Sequence, residues 1–161
     1  MRQFELLPWA DLCRSNTYGG DLTLRLENVG TTVEFAGMRV FLEHGWLKTR
    51  IMNPNLDSAT ATSWTPERFR FRSGREFMPS SMSRGQVQGH IARVLDNSNM
   101  FSVEWVPLDL YFLYRELSRS GWLGKTFFEA LTRVVRASPS VTEVADVTRA
   151  LIRRHERLGR G

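Results

Sequence analysis

The stretch Pro107-Leu-Asp-Leu-Tyr-Phe-Leu-Tyr-Arg-Glu-Leu117 divides the sequence into two halves of different periodicity. Within it, Leu110, Leu113, Tyr114 and Leu117 recur at the spacing of one α-helical face. Upstream of this stretch, apolar and polar residues alternate over short segments, whereas downstream the helical spacing continues. The change of period predicts an α+β protein in which strands and helices occupy separate halves of the chain.

The upstream half predicts an antiparallel sheet or partly open barrel over residues 20–106. Turn signals such as Asn28-Val29-Gly30 and His44-Gly45 separate the alternating segments. Two polar stretches, 53–66 and 73–86, predict long loops. About seven strands result, at 22–26, 32–35, 38–43, 47–52, 68–72, 87–95 and 100–106.

The downstream half predicts three helices over residues 107–158. Gly121 ends the first helix, and Ser138-Pro139-Ser140 separates the second from the third. We therefore expect a mainly-β core domain over residues 1–106. The helical segment 107–161 would pack on this domain or serve as an interface, and a single domain also fits, because 161 residues support one sizeable core.

The charge of the chain is unevenly distributed and is carried mostly by arginine. Of 22 basic residues only Lys48 and Lys125 are lysine, and the net charge is +5. Residues 64–93 and 149–161 each carry a net charge of +4, and the remainder is net −3. Guanidinium groups suit phosphate and carboxylate oxygens, so the clusters favour a polyanionic partner. A bias toward arginine codons is the alternative reading of the composition.

The first basic cluster has a pattern that favours phosphate contacts. If residues 68–72 form a strand, three arginines share its solvent face at ~7 Å spacing, close to that of every second phosphate along a strand. The alternative is an edge strand whose like charges prevent aggregation. The predicted nucleic-acid contacts of this cluster are Trp64 (as a stacking platform), Arg68, Arg70, Arg72, Arg75, Arg84 and Arg93.

The second basic cluster lies on the last predicted helix. Arg149, Arg153 and Arg157 follow one another at i, i+4 and i+8, which places them on one stripe, and we include them among the predicted contacts. The alternative is a helix end stabilised by cations, since the macrodipole favours positive charge there.

A protein–protein interface is the alternative function. Residues 108–114 are apolar on nearly every side, which is typical of a helix that is either central in a core or covered by a partner. This pattern predicts docking or self-association of a structural or accessory subunit, viral, plasmid-borne or part of a complex. The candidate interface residues are Tyr111, Phe112, Tyr114 and Trp122.

The inventory of catalytic motifs predicts no enzyme, no cofactor and no metal. Cys13 is the single cysteine, and the three histidines are dispersed. A hydrolase that uses His44 and scattered carboxylates is a third hypothesis, which requires these groups to converge in a pocket. One cysteine, no signal peptide at the N-terminus and no long apolar run predict a soluble cytoplasmic protein that does not enter a membrane.

The sequence as a whole predicts a non-enzymatic protein that binds the phosphate backbone of nucleic acid. RNA is favoured over DNA, because basic sheets with nearby aromatic residues are common RNA platforms and no major-groove helix is evident. An acidic protein is the alternative partner, and self-association into a homo-oligomer is a further prediction.

Overall fold

The computed structural model describes residues 31–56, 70–71, 73–74, 79–98 and 103–158. In these residues the α+β class is confirmed, with one three-stranded antiparallel sheet and four α-helices. Two 3-10 turns, Val103–Trp105 and Pro139–Val141, precede the second and fourth helices. The elements in chain order are β1 (Thr32–Phe35), β2 (Met38–Glu43), β3 (Trp46–Ile51), α1 (Ser80–Asp96), α2 (Val106–Arg119), α3 (Gly124–Ala137) and α4 (Thr142–Leu158).

The sheet is a meander of strand order β1-β2-β3, joined by two tight turns. Ala36 and Gly37 in the first turn have φ angles of 49° and 78°, and His44 and Gly45 in the second have 50° and 79°. Positive φ at both central residues matches the twist of the flanking strands, and glycine adopts it without strain. The predicted strands 32–35 and 38–43 are confirmed, and the third begins and ends one residue earlier than predicted.

The three helices predicted over residues 107–158 are confirmed as α2, α3 and α4. Gly121, with a φ of 85°, follows the end of α2, and Pro139 opens the 3-10 turn between α3 and α4. Left-handed backbone just past a helix end favours glycine, which explains why this signal was readable in the sequence.

The predicted strand 87–95 is wrong, because these residues lie within α1. Val87, Ile91 and Val94 follow a helical spacing and are 1%, 0% and 2% exposed. Burial of this face against other helices outweighs the unfavourable helix propensity of Gly85 and Gly89.

Other predicted elements also differ from the structure. The loop predicted over 73–86 is wrong from residue 80 onward, where α1 begins, and the strand predicted over 100–106 is wrong at residues 103–106, which are helical. Arg70 and Phe71 belong to no strand, so the strand predicted over 68–72 is wrong there. Residues 68, 69, 72 and 100–102, and the predicted strand 22–26, lie outside the described residues. About seven strands are therefore not shown.

The core of the described chain is helical. It unites Val87 and Ile91 of α1, Leu113 of α2, Leu131 of α3 and Ile152 of α4 with further apolar neighbours. Helix α1 packs chiefly on α3, and α2 packs chiefly on α4. The sheet docks at the side of this bundle and contributes only the partly buried Ile51 to the same cluster.

Candidate functional site

A pocket of about 280 Å³ lies where the end of the sheet meets α1 and α2. Its walls include both apolar groups and convergent polar groups, which is the usual make-up of a ligand site. The lining residues are Gly37, Ile51, Met52, Asn53, Pro54, Arg70, Phe71, His90, Arg93, Val94, Asp109 and Leu113. Two of the predicted nucleic-acid contacts, Arg70 and Arg93, therefore meet at one site although they are distant in sequence.

Arg70 is held in the pocket wall by the buried carboxylate of Glu116 on α2. One guanidinium nitrogen donates to Glu116 Oε2 at 2.9 Å, and the Arg70 side chain remains 24% exposed. The other carboxylate oxygen accepts from the side-chain amides of Asn53 and Asn55, at 3.0 Å each. Glu116 thus ties the loop after β3 and the segment around Arg70 to the same turn of α2.

Backbone contacts fix the same segment at a second point. The N–H of Gly74 donates to the carbonyl of Ser120 at 2.8 Å. A Cβ at residue 74 would lie 2.7 Å from the backbone of Trp122, closer than atoms can approach without displacement. Only glycine allows the chain to pass this close to the α2–α3 connection, three residues after Phe71.

Among the described residues, Asp109 is the one acidic side chain that lines the pocket, and Arg50 of β3 neutralises it. Arg50 Nε donates to both carboxylate oxygens at 2.8 and 2.9 Å, and both side chains are 1% exposed. The guanidinium also stacks on the Trp105 ring, 4.8 Å from its centroid. Burial raises the pKa of Asp109, and the Arg50 charge opposes that effect. The charges of Asp109 and Arg50 therefore compensate each other within the core.

Arg93 supplies the pocket with a charge that has no such compensation. It is exposed on α1, and no carboxylate in the described part of the chain contacts its side chain. Its guanidinium reaches the β1–β2 turn, where a Cβ at Gly37 would lie 3.5 Å from Arg93 Nη2. The described residues around the pocket thus include three arginines (50, 70 and 93) and two carboxylates (109 and 116), which leaves one positive charge in excess.

His90 lines the same pocket as Arg70 and Arg93. Its ring contacts the edge of Phe71, with centroids 4.7 Å apart, and the Arg70 guanidinium lies 5.5 Å from the centroid of the same Phe71 ring. Burial lowers the pKa of His90, and the charges of Arg70 and Arg93 lower it further. Both effects favour the neutral form of the imidazole.

The remaining predicted contacts of the first cluster lie elsewhere or outside the described residues. Arg84 on α1 is partly buried and lies 3.5 Å from Glu129 Oε2 of α3. It does not line the pocket. Trp64, Arg68, Arg72 and Arg75 lie outside the described residues.

The predicted contacts of the second cluster lie on α4, away from the pocket lining. Arg149 is paired with Asp146 at 2.8 Å and donates to Thr132 Oγ1 of α3 at 3.4 Å. Arg153 and Arg157 are exposed, and Arg157 Nε donates to the Arg153 carbonyl at 3.3 Å.

The surface of the helical half has a more positive net charge than its sequence, because two of its acidic residues are buried. Residues 107–148 are electrically balanced in sequence, but Asp109 and Glu116 are buried and bonded to Arg50 and Arg70. From α2 to the end of α4, the sequence carries nine basic and six acidic residues, and four of the acidic residues are not buried. Burial of Asp109 and Glu116 thus adds to a positive balance that the charge count along these residues already shows.

The predicted interface residues face inward to different degrees. Phe112 is 2% exposed and Tyr114 is 9% exposed, and Trp122 and Tyr111 pack against the core as partly buried residues. The Tyr114 hydroxyl donates to Glu156 Oε1 at 2.6 Å. Burial, together with this hydrogen bond, raises the pKa of Tyr114 to about 12. The apolar character of 108–114 is explained here by the packing of α2 between its neighbours.

The sheet carries several exposed apolar side chains on one face. Phe35, Leu42 and Leu47 are 68%, 56% and 59% exposed. Leu42 pairs with Leu47 across β2 and β3, and Phe35 pairs with Met38 across β1 and β2, so all four lie on one face. This outer face is opposite to the one from which Arg50 reaches Asp109.

His44 lies in the exposed turn between β2 and β3 and does not line the pocket. The described residues contain no cluster of three or more His, Cys, Asp or Glu side chains that could hold a metal ion. Among those same residues, no helix combines the length and apolarity needed to cross a membrane.

Sequence reasoning missed the residues that organise the pocket, namely His90, Asn53, Glu116 and Gly74. His90 and Arg93 are three residues apart, so recognition of α1 as a helix would have placed them on one face. No local signal identifies Glu116 or Gly74, because their partners are distant in sequence. Comparison with protein families, curated proteins and solved structures found nothing that matches this chain.

Proposed function

We propose that this protein binds nucleic acid through phosphate contacts, and that the pocket between the sheet and α1 is its central contact. The observation that carries the proposal is the meeting of Arg70, Arg93 and His90 around one pocket whose single carboxylate is neutralised by Arg50. Guanidinium groups are the preferred partners of phosphate oxygens, because they donate in a planar bidentate geometry.

The exposed arginines of α4 extend the proposed contact surface. Arg153 and Arg157 are exposed on a helical half whose remaining charges are predominantly positive. Such a surface attracts a polyanion over a distance of about one Debye length, ~8 Å at physiological salt, before the specific contacts form. These residues would supply affinity without base discrimination.

A single strand suits this site better than a duplex. The pocket is concave, and a flexible strand can direct a phosphate into it, whereas a stiff duplex presents its phosphates on a convex surface. No helix is arranged on the described surface as a two-helix major-groove reader, since α3 and α4 join through a 3-10 turn and not through a glycine turn. We therefore favour RNA over DNA, as the sequence predicted.

The test is binding of the purified protein to single- and double-stranded RNA and DNA of equal length, over about 50 to 300 mM salt. We expect the highest affinity for single-stranded RNA, with a steep loss of affinity as salt increases. Heparin serves as the polyanion control, and it should compete less well than RNA at equal charge. No binding at 50 mM salt, or equal competition by heparin, would contradict the proposal.

The outer face of the sheet favours a second function, association with a second copy of the chain. The outward positions of the three strands carry no charged side chain, and this neutral face is complementary to itself under a two-fold axis. Phe35, Leu42 and Leu47 would lose their exposure in such a contact. This face is a second candidate interface beside the one that the sequence predicts on the helical half.

Sedimentation of the wild-type protein and of Leu42→Lys tests this association. We expect a concentration-dependent dimer for the wild type and a monomer for the variant, with Lys125→Ala as an exposed control that retains the dimer. A wild-type protein that remains monomeric at about 100 μM, a concentration typical of weak specific pairs, would contradict it.

A further inference from the structure

The pocket contains one ionisable group that phosphate binding should change, which is the imidazole of His90. It lines the pocket together with Arg70, Arg93, Phe71 and the Arg50-neutralised Asp109. No side chain in the described part of the chain is shown to donate to or accept from its ring nitrogens. An imidazole in this position can accept a proton and donate a hydrogen bond to an incoming oxygen.

We propose that the pocket is a site for one phosphate group of a nucleic-acid strand, and that His90 takes up a proton to become its third cationic ligand when the phosphate enters between Arg70 and Arg93. This inference rests on the proposed function and deepens it by naming the group that occupies the pocket. It also predicts that binding is linked to pH, whereas contacts made by arginine alone are not.

The charges around His90 explain the direction of this linkage. Burial opposes a proton on His90, and the charges of Arg70 and of Arg93 on the same helix repel it as well, so all three lower the pKa of His90. Asp109 of α2 would attract the proton, but Arg50 holds its charge at hydrogen-bond distance. The charge of Glu116, the other carboxylate near the pocket, is held in the same way by its hydrogen bond from Arg70.

A bound phosphate reverses this balance. Its negative charge offsets the repulsion from Arg70 and Arg93, and its oxygens accept a hydrogen bond from the protonated ring. The proton comes from solvent and is released when the phosphate leaves, so no covalent step is involved. Affinity should therefore increase as pH falls, by at most about tenfold per pH unit, since a single proton is taken up.

The experiment is a pH titration of the histidine ring signals by NMR on the full chain, with and without a 5′-hydroxyl oligoribonucleotide of twelve residues. His90→Gln identifies the His90 signal by its loss. We expect the oligoribonucleotide to move the His90 midpoint upward by about one pH unit. The backbone amide signal of Gly45, in the exposed turn outside the pocket, should be the same in both samples.

A second arm uses inorganic phosphate at equal phosphate concentration, and a third uses the oligoribonucleotide with Arg93→Ala. A His90 midpoint that moves with the oligoribonucleotide in the wild type and less in Arg93→Ala supports the inference. If inorganic phosphate moves the His90 midpoint and the oligoribonucleotide does not, the inference is overturned, because the site would then belong to a small free anion.

Binding of the oligoribonucleotide with an unchanged His90 midpoint would also overturn the inference, yet it would leave the proposed function standing. Absence of any binding would remove both. The two failures are therefore distinguishable within one set of samples, because chemical-shift changes elsewhere in the protein report binding independently of His90.

Discussion

Helix α2 carries two carboxylates that bond to arginines from other parts of the chain, and the two pairs differ in their access to solvent. Asp109 and Arg50 are both 1% exposed, and the pair is closed on every side. Glu116 is 3% exposed, but its partner Arg70 is 24% exposed and reaches the pocket. The closed pair attaches the sheet to the bundle, whereas the open pair supports an arginine that can also contact a ligand.

The difference lies in the surroundings of the two arginines. Arg50 is covered by the Trp105 ring and by the strand from which it extends. Arg70 extends from a short stretch of chain that is attached to the α2–α3 connection through Gly74. The Phe71 ring covers only part of the Arg70 side chain. Identical chemistry therefore gives a structural contact at one end of α2 and a candidate binding contact at the other.

The largest effect is expected when the closed pair is broken. Asp109→Asn leaves the Arg50 charge buried without its partner, which should lower the free energy of unfolding by about 3 to 5 kcal/mol. Urea unfolding measures this loss. The double variant Arg50→Met/Asp109→Leu should recover much of it, because no buried charge remains. A loss below about 1 kcal/mol in Asp109→Asn would show that the pair is not a closed contact.

Displacement of the segment that carries Arg70 should have a smaller effect. Gly74→Ala introduces a Cβ 2.7 Å from the Trp122 backbone, and the shift that relieves this clash should cost about 1 to 3 kcal/mol. RNA affinity should fall as well, because Arg70 and Phe71 move with the segment. Gly85→Ala is the matched control, since nothing lies within 4 Å of its Cβ, and it should be neutral or stabilising.

The open pair should respond differently from the closed pair. Glu116→Gln keeps an acceptor for Asn53 and Asn55 but presents an amide to Arg70, so the free energy of unfolding should fall by about 1 to 2 kcal/mol. Arg70 is then held less firmly in the pocket wall, and RNA affinity should fall by about threefold or more. Calorimetric unfolding and fluorescence anisotropy measure the two effects. Unchanged or higher RNA affinity in a folded variant would show that Glu116 does not position Arg70.

The smallest expected effect is the contribution of His90 to acid stability. Its pKa in the folded chain lies below the ordinary value of 6.5, so the unfolded chain binds the additional proton first as pH falls. The free energy of unfolding should therefore decrease as pH falls below 6.5, and the decrease should be smaller in His90→Gln. Thermal unfolding between pH 7.5 and 5 measures it. Parallel pH profiles for the two proteins would contradict the direction assigned to His90.

Local signals in the sequence predicted one part of the fold well. Strands 32–35 and 38–43 were readable because alternation and a two-residue turn are both encoded within a few residues. Helices α2 to α4 were readable for the same reason, from a sustained helical spacing. Helix α1 was missed because Gly85 and Gly89 are typical of loops, and only packing on α3 explains why they lie in a helix.

The candidate site could be predicted only in part. Arg70 and Arg93 were identified by charge clustering, which needs no knowledge of the fold. The contact between Arg50 and Asp109 spans 59 residues of sequence, and that between Arg70 and Glu116 spans 46. Nothing in a local pattern distinguishes the arginine that is buried from the arginine that lines a pocket, because tertiary packing makes that choice.

The most direct test of the account is the salt dependence of single-stranded RNA binding by Arg93→Ala and Lys125→Ala. Both variants remove one exposed positive charge, and only Arg93 lines the pocket. We predict that Arg93→Ala weakens binding and makes the slope of log K against log salt less steep by about 0.7, the loss of one phosphate contact, while Lys125→Ala changes neither. Equal slopes for the two variants would show that the pocket is not where the phosphate binds.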